Sequence, residues 1–462
     1  MYQNISAPPW THHCIEDVDR RGSARGTARK NSTCRTGDMA SDLSKRGTFI
    51  ADSHSFLMKY GAQAIHNPYD EKNNPKGIVS MGMAENKLME DILFERLSQP
   101  DMHGMSRDML YYFKFSGTRD FRVSLANFIT ERFGTTRSVE PDNVMVVNGC
   151  GSALEQVASA VADPGEYLLC PSPYYSMVKF DCNIRGQVDC FDIPLTSQQE
   201  NGKVRPFQLT LEDVEKAYQD ATGQGLVVKG IFLLNPSNPT GDVYSPELLM
   251  DILLFAKRHQ LHVIADEIYA LSVFDSETQF CSVLALPNLP DPDKTHVLWG
   301  FSKDFALSGF RCGTIISSNK KLKTFIDNIA YYQCTPVLLQ NMMRIMISDK
   351  KWLDSTYFPM NRQRMREMFT FVTNELEDLG IKCHPSKAAF FVWANFSPFM
   401  SEKTREEEMQ LFQKLFAAGV YIIPGTELFC VDPGWFRVLF SLQKPYLQEG
   451  LKRLRSVLVR GI

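Results

Sequence analysis

The sequence predicts an α/β fold, a large and mostly parallel sheet followed by a smaller α+β C-terminal domain. Three observations carry this expectation. The 462 residues exceed the size at which a single hydrophobic core stops growing. From Leu43 onward, apolar β-rich runs alternate with amphipathic helical segments, as in βαβ units. After about Lys351 the alternation gives way to long helices with two short β segments, Phe390 to Trp393 and Trp435 to Phe440.

Residues 1–42 are rich in Arg, Ser, Thr, Asp and Gly and poor in aliphatics, so they are expected to form a disordered tail. A large domain is expected over 43–345, entered through an arm segment at 43–100, and a small domain over 346–462. The clearest strands of the large domain are Asn143 to Val147, Gly230 to Leu234, His262 to Ala265 and His296 to Trp299. Each ends in polar or glycine residues. In parallel α/β sheets ligands sit beyond the carboxyl ends of strands, so a site is expected there. Pro246 to His259 reads as a crossover helix with Leu248, Leu249, Ile252, Leu253 and Ala256 on one face.

Composition narrows the function classes. Hydrophobic residues make up 44% and charged residues 22%, ordinary values for a globular protein, and the net charge of −3 offers no field to gather nucleic acid or anionic lipid. No apolar run approaches the length of a membrane span, and Met1 to Trp10 lack the pattern of a secretory signal. Eleven scattered cysteines without zinc-type spacing fit reduced thiols and no bound metal. The expectation is a cytoplasmic protein that works on small molecules, with no nucleic-acid or membrane partner.

Polar motifs stand at the strand ends. Asn235-Pro-Ser-Asn-Pro-Thr-Gly241 follows one strand and Asp266-Glu-Ile-Tyr269 closes the next. Ser302-Lys303 follows a third, Arg311 stands eight residues past the lysine, and Trp435-Phe-Arg437 lies near the C-terminus. Alone, each is an ordinary turn or strand end. Their order and spacing together are specific.

With these residues the chain resembles the class I/II aminotransferases, fold-type I enzymes that use pyridoxal 5′-phosphate (PLP), and within them the 1-aminocyclopropane-1-carboxylate (ACC) synthase-like branch. Further marks of that branch are Asn67-Pro-Tyr69, Met81-Gly-Met-Ala-Glu-Asn-Lys-Leu88, Pro171-Ser-Pro-Tyr-Tyr175, Gly309-Phe-Arg311 and Pro433-Gly-Trp-Phe-Arg437. The resemblance runs from Leu43-Ser-Lys-Arg-Gly47 to about the C-terminus. It implies a seven-stranded sheet, PLP as cofactor, an α-amino acid as substrate and a homodimer.

The chemistry explains the residue types. PLP reacts through an aldehyde, so a lysine holds it as a Schiff base and later moves the Cα proton, and the resemblance gives both tasks to Lys303. A carboxylate must face the pyridine nitrogen to keep it protonated, and Asp266 matches. Asn238 and Tyr269 match the partners of the ring oxygen. Asn148-Gly-Cys-Gly-Ser-Ala153 joins a strand to a helix beginning near Ala153, so Cys150, Gly151 and Ser152 are the expected phosphate cradle, with Ser302 and Arg311 adding a hydroxyl and a charge. Tyr175 is expected to stack on the ring, ahead of its neighbour Tyr174. Arg437 suits an α-carboxylate. Glu85 matches a glutamate near the substrate, although a purely structural Glu is an alternative.

Two departures bear on the reaction. Relatives carry a tyrosine that reaches the partner subunit's cofactor, where this chain has Phe115 in Lys114-Phe-Ser-Gly117, and a phenyl ring moves no proton. Gly300 stands where plant-type enzymes carry a phosphate-binding serine. The expected function is therefore an aminotransferase or related amino-acid lyase. The alternatives are a genuine ACC synthase acting on S-adenosylmethionine and a PLP-binding protein with little activity.

Overall fold

The computed structural model describes residues 43–53, 55–198 and 206–459. The segment expected to be a disordered tail, 1–42, lies outside them. The chain divides into Met1–Ala51, of which the described part is chiefly helical, and Asp52–Ile462.

Among the described residues, thirteen short strands make three sheets. The first strand, β1 (Val79–Ser80), lies near the start of the second unit. It is followed by β2 (Val144–Val147), β3 (Tyr167–Ser172), β4 (Asp189–Pro194), β5 (Val228–Leu234), β6 (His262–Asp266), β7 (Thr295–Gly300) and β8 (Gly313–Ile316). These last seven form one sheet in the order β2-β8-β7-β6-β5-β3-β4. Only β8 runs against its neighbours β2 and β7. The expected mostly parallel seven-stranded sheet is thus present. Its central strands are apolar along their length because helices cover both faces.

A second sheet, in the order β12-β13-β10-β9, is built from β9 (Lys382–Cys383), β10 (Phe391–Asn395), β12 (Ile423–Pro424) and β13 (Trp435–Leu439). The remaining strand β11 (Val420–Tyr421) pairs with β1 in parallel, Val79 opposite Val420 and Ser80 opposite Tyr421. No local pattern announces that pairing.

Three helices bear on the site or illustrate the folding rules. Helix α1 (Cys150–Val161) follows β2, α2 (Met177–Asn183) follows β3, and α3 (Pro246–Arg258) is the expected crossover. Helix α3 begins at Ser245, whose hydroxyl accepts from Leu248 N at 3.2 Å, with Pro246 in the first turn where its missing N–H costs nothing. It buries Leu249, Ile252, Leu253, Phe255 and Ala256, so Phe255 joins the face and Leu248 sits at its margin. Helix α1 starts three residues earlier than expected, at Cys150, and takes Cys150 and Gly151 into its first turn.

Candidate active site

The parallel strands β5, β6 and β7 and the strand β2 deliver their polar ends to one side of the large sheet. There a cleft of about 420 Å³ opens. Its walls include Glu85, Cys150, Gly151, Tyr175, Asn238, Asp266, Tyr269, Ser302, Lys303, Arg311 and Arg437. Eleven of the twelve residues singled out from the sequence thus meet in one place.

Ser152 is the exception. Its hydroxyl donates to Gln333 Oε1 at 2.5 Å and it does not line the cleft. Because helix α1 already begins at Cys150, the side chain of Ser152 is carried round toward Gln333, while its backbone N–H stays in the first turn of the helix.

Lys303 sits in a one-turn helix, Phe301–Asp304, directly after β7. Its Nζ donates to Ala84 O at 2.5 Å. Burial, with Arg437 nearby, lowers its amine to about 8, so a substantial neutral fraction exists near physiological pH. Asp266 closes β6, and burial pushes its carboxyl up to about 7.

The neighbouring acids show what is distinctive about Asp266. Glu267 accepts from Ser282 Oγ at 2.6 Å and Val283 N at 2.9 Å. Asp304 accepts from Ser272 Oγ at 2.6 Å, Leu271 N at 3.0 Å and Trp299 Nε1 at 2.9 Å. Those two carboxyls are satisfied by the fold. Asp266 accepts one backbone amide, Ile268 N at 3.1 Å, and faces the cleft. A buried carboxyl with spare acceptor capacity suits a cationic N–H donor brought in by a ligand.

Arg437, in β13, is 2% exposed, and its guanidinium donates to Asn238 Oδ1 at 2.8 Å and Gly82 O at 2.7 Å while lying 4.5 Å from the Phe391 ring. Among the described residues no carboxylate stands within 4.0 Å of it, and burial lowers its affinity for its proton. A buried guanidinium without a counter-ion is a receptor for an anionic ligand.

At the other end of the cleft, Gly149 adopts φ +118°, and a Cβ there would stand 2.5 Å from Arg311 Nη2. The positive φ favours glycine, and a side chain there would displace the Arg311 guanidinium. The glycine lets Arg311 lie against the N-terminus of α1, where backbone N–H groups and a fixed cation together make an anion cradle. Arg311 itself is left-handed, with φ 48° and ψ 54°, and its Nη1 donates to Ser308 O at 2.9 Å.

The two tyrosines separate cleanly. Tyr174 is buried, donates to Asp192 Oδ1 at 2.7 Å and packs on Phe429. Tyr175 lines the cleft, with burial lifting its phenol to about 12. Glu85 also lines it, half-buried and accepting from Ser308 Oγ at 3.1 Å. Phe115 does not line the cleft; it packs on Tyr331 with ring centroids 5.4 Å apart and on Phe113 at 5.8 Å.

Sequence reasoning missed Asp181 and Tyr421. Asp181 lines the cleft from α2, its carboxyl pushed to about 7 by burial and by Glu155. Tyr421 has a buried hydroxyl without a partner and lines the same cleft. An acidic residue shortly after Tyr175 was the only available signal for the first, and none pointed to the second.

The model of the family described as aminotransferase class I and II matches residues 78–454. A Bos taurus protein named 1-aminocyclopropane-1-carboxylate synthase-like protein 1 is 38% identical over 91% of this chain and 86% of its own length. A Homo sapiens protein named probable inactive 1-aminocyclopropane-1-carboxylate synthase-like protein 2 is 36% identical over 92% of this chain and 75% of its length. Among solved structures, an aspartate aminotransferase from Thermus thermophilus with maleate superposes with a TM-score of 0.71 at 22% identity, covering 90% of this chain and all of that one, a likeness of fold.

Proposed function

Because the chain belongs to the aminotransferase class I and II family, we propose that it acts on a free α-amino acid through Lys303 and removes the substrate's Cα proton. Proteins of this family use PLP, which when bound supplies an aldehyde and a ring that withdraws electrons from the substrate Cα. The residues present fit that group: a cleft amine, an under-satisfied carboxyl and a glycine-lined anion cradle stand in one cavity.

Each side chain then has a task. Lys303 Nζ, with its lowered proton affinity, is the nucleophile toward the aldehyde and afterwards the base at Cα. Asp266 takes its charge when a ring N–H faces it. Asn238 and Tyr269 would hydrogen-bond the ring oxygen and Tyr175 would stack on the ring. Cys150 and Gly151, through their backbone at the start of α1, hold the phosphate with Ser302 and Arg311. Arg437, tied to Asn238, orients the α-carboxylate, and Glu85 borders the substrate's remaining atoms.

The single observation that carries this reading is the pairing in one cleft of the Lys303 amine with Arg437, a buried cation with no carboxylate partner among the described residues. Purified protein mixed with PLP, reduced with borohydride and mapped by mass spectrometry tests it. The adduct is expected at Lys303, and stable modification elsewhere with Lys303 unlabelled overturns the assignment.

Two observations favour narrower readings. Phe115 in place of a tyrosine argues for transamination or simple proton exchange over ACC formation from S-adenosylmethionine. The human relative's name supports a third reading, cofactor binding with little turnover. Incubation with a panel of amino acids and S-adenosylmethionine, with detection of keto acids and ACC, separates the three. We further read the protein as a cytoplasmic homodimer. Support comes from the exposed aromatics near Phe115, with Tyr112 at 89% and Tyr332 at 77% exposure, which make a surface suited to a second copy. Sedimentation of a fully loaded, active monomer contradicts it.

A further inference from the structure

A second recess, of about 580 Å³, shares no residue with the walls of the cleft. It opens between the end of the helix Arg119–Arg132, the loop that runs on from Tyr269 and the start of the helix Phe358–Glu377. Arg132, Arg362 and Arg366 line it, with Phe280 and Phe358 as an apolar wall. Among the described residues Asp275 is its one acid, and that carboxylate is already engaged by Lys387 Nζ at 3.1 Å and Thr278 Oγ1 at 2.5 Å. The recess therefore carries an excess of positive charge.

The three arginines keep donors in reserve. Arg132 Nη1 reaches Asp354 at 2.5 Å, but its Nη2 is buried without a hydrogen-bond acceptor, Glu131 Oε1 standing 3.9 Å away. Arg366 donates through Nε at 3.1 Å and Nη2 at 2.9 Å to Phe274 O, a neutral acceptor that orients the guanidinium without balancing its charge. Arg362 makes no hydrogen bond or ion pair among the described residues and acts on Asp354 only through space. Phe358, Arg362 and Arg366 stand four residues apart along one helix, so they share one stripe. Like charges at that spacing oppose helix formation, and an anion lodged between them removes the conflict.

We propose that this recess is a second binding site, for a small phosphate ester with an apolar or planar body. The planar guanidinium fork matches phosphate oxygens two at a time. A phosphate ester carries nearly two negative charges and three free oxygens, enough to answer both Arg362 and Arg366, whereas a monocarboxylate with one charge leaves one of them unmatched. Phe280 and Phe358 give the organic part of the ligand a surface to pack on, and the volume lies within the range of about 300–1,000 Å³ usual for small-molecule sites. The site is separate from the phosphate cradle at the start of α1, and its occupation does not depend on the chemistry of the cleft.

Protein loaded with PLP and freed of excess, so that the cleft is filled, tests the proposal by calorimetric titration with phenyl phosphate, inorganic phosphate and phenol at constant ionic strength. Phenyl phosphate is expected to saturate one site per chain, inorganic phosphate to bind roughly 10-fold more weakly or worse, and phenol not to bind. Arg362→Gln is expected to weaken phenyl phosphate by roughly 10-fold or more, and Lys72→Gln to change nothing. Arg362 is exposed and makes no bond on which the fold relies, so this variant reads binding and not unfolding. Titration without saturation, affinity unchanged in Arg362→Gln, or equal affinity for inorganic phosphate and phenyl phosphate overturns the proposal. So does loss of the cofactor's visible absorbance on titration, which would assign the ligand to the cleft.

Discussion

Arg437 Nη1 donates to Asn238 Oδ1 at 2.8 Å, joining a strand of the four-stranded sheet to the turn that follows β5 of the large sheet. The same turn and the same arginine border the cleft, so this bond fixes two of its walls relative to each other. Replacing Arg437 with Lys keeps the charge but loses the planar fork. Charge-assisted hydrogen bonds are worth about 1.5–3 kcal/mol. Accordingly, Arg437→Lys should raise the substrate concentration for half-maximal Cα exchange by roughly 10–150-fold, with cofactor retention little changed. Exchange kinetics in deuterated water, beside the visible absorbance of bound cofactor, measure both.

Burial and Arg437 set the amine of Lys303 at about 8, below its usual value. Covalent capture of PLP needs the neutral amine, so its rate should climb with pH and level off above about 8. Arg437→Gln removes the nearby positive charge and should move that midpoint upward. Stopped-flow absorbance across pH measures the shift; an unchanged midpoint would show that Arg437 is not a cause.

Asp181 supplies a stability test in the cofactor-free protein. Its folded-state carboxyl titrates near 7 and the reference carboxyl at 3.8, so between those values the folded chain holds a proton that the unfolded chain has released. Stability therefore falls as pH rises through that window. Asp181→Asn removes this contribution, and its stability relative to wild type should improve by about 4 kcal/mol from the acid end of the window to the neutral end. Urea midpoints at the two ends check the sign.

Gly300 lies against backbone as well as side chains. A Cβ there would meet Cys312 O at 2.8 Å, Gly313 Cα at 3.0 Å and Cys150 Sγ at 3.1 Å. Gly300→Ser should therefore destabilise by about 1–3 kcal/mol. Adding Cys150→Ala should recover only the part owed to sulfur. Thermal unfolding of both variants reads the difference.

The aromatic environment of Phe115 gives the last prediction. Wild-type protein should form ACC from S-adenosylmethionine about two to four powers of ten more slowly than it exchanges an amino acid's Cα proton, the usual cost of one missing proton-transfer group. Phe115→Tyr should raise ACC formation. Comparable rates in the wild type would end this argument.

The strand ends were legible because chemistry punctuates them: Asp266 and the Asn235 to Gly241 turn interrupt apolar runs with residues that are costly to bury without purpose. The start of α1 was less legible, because glycine is a poor helix former and Cys150-Gly151 therefore read as loop. Ser152 turns its side chain away from the cleft because that earlier start carries it toward Gln333. Tyr421 and the β1–β11 pairing left no trace in local pattern, since each depends on a neighbour far along the chain. Asp181 reads as an ordinary helix residue until its surroundings are known.

The pairing of Val79–Ser80 with Val420–Tyr421 also sets an order of events during translation. Residues 82–85 leave β1 to wall the cleft, so their placement awaits a strand that emerges from the ribosome far later. At about 5–20 residues per second that delay is on the order of tens of seconds. A nascent chain halted before Val420 would carry Lys303 and Asp266 but no finished pocket, and cofactor capture would be confined to the last stage of synthesis.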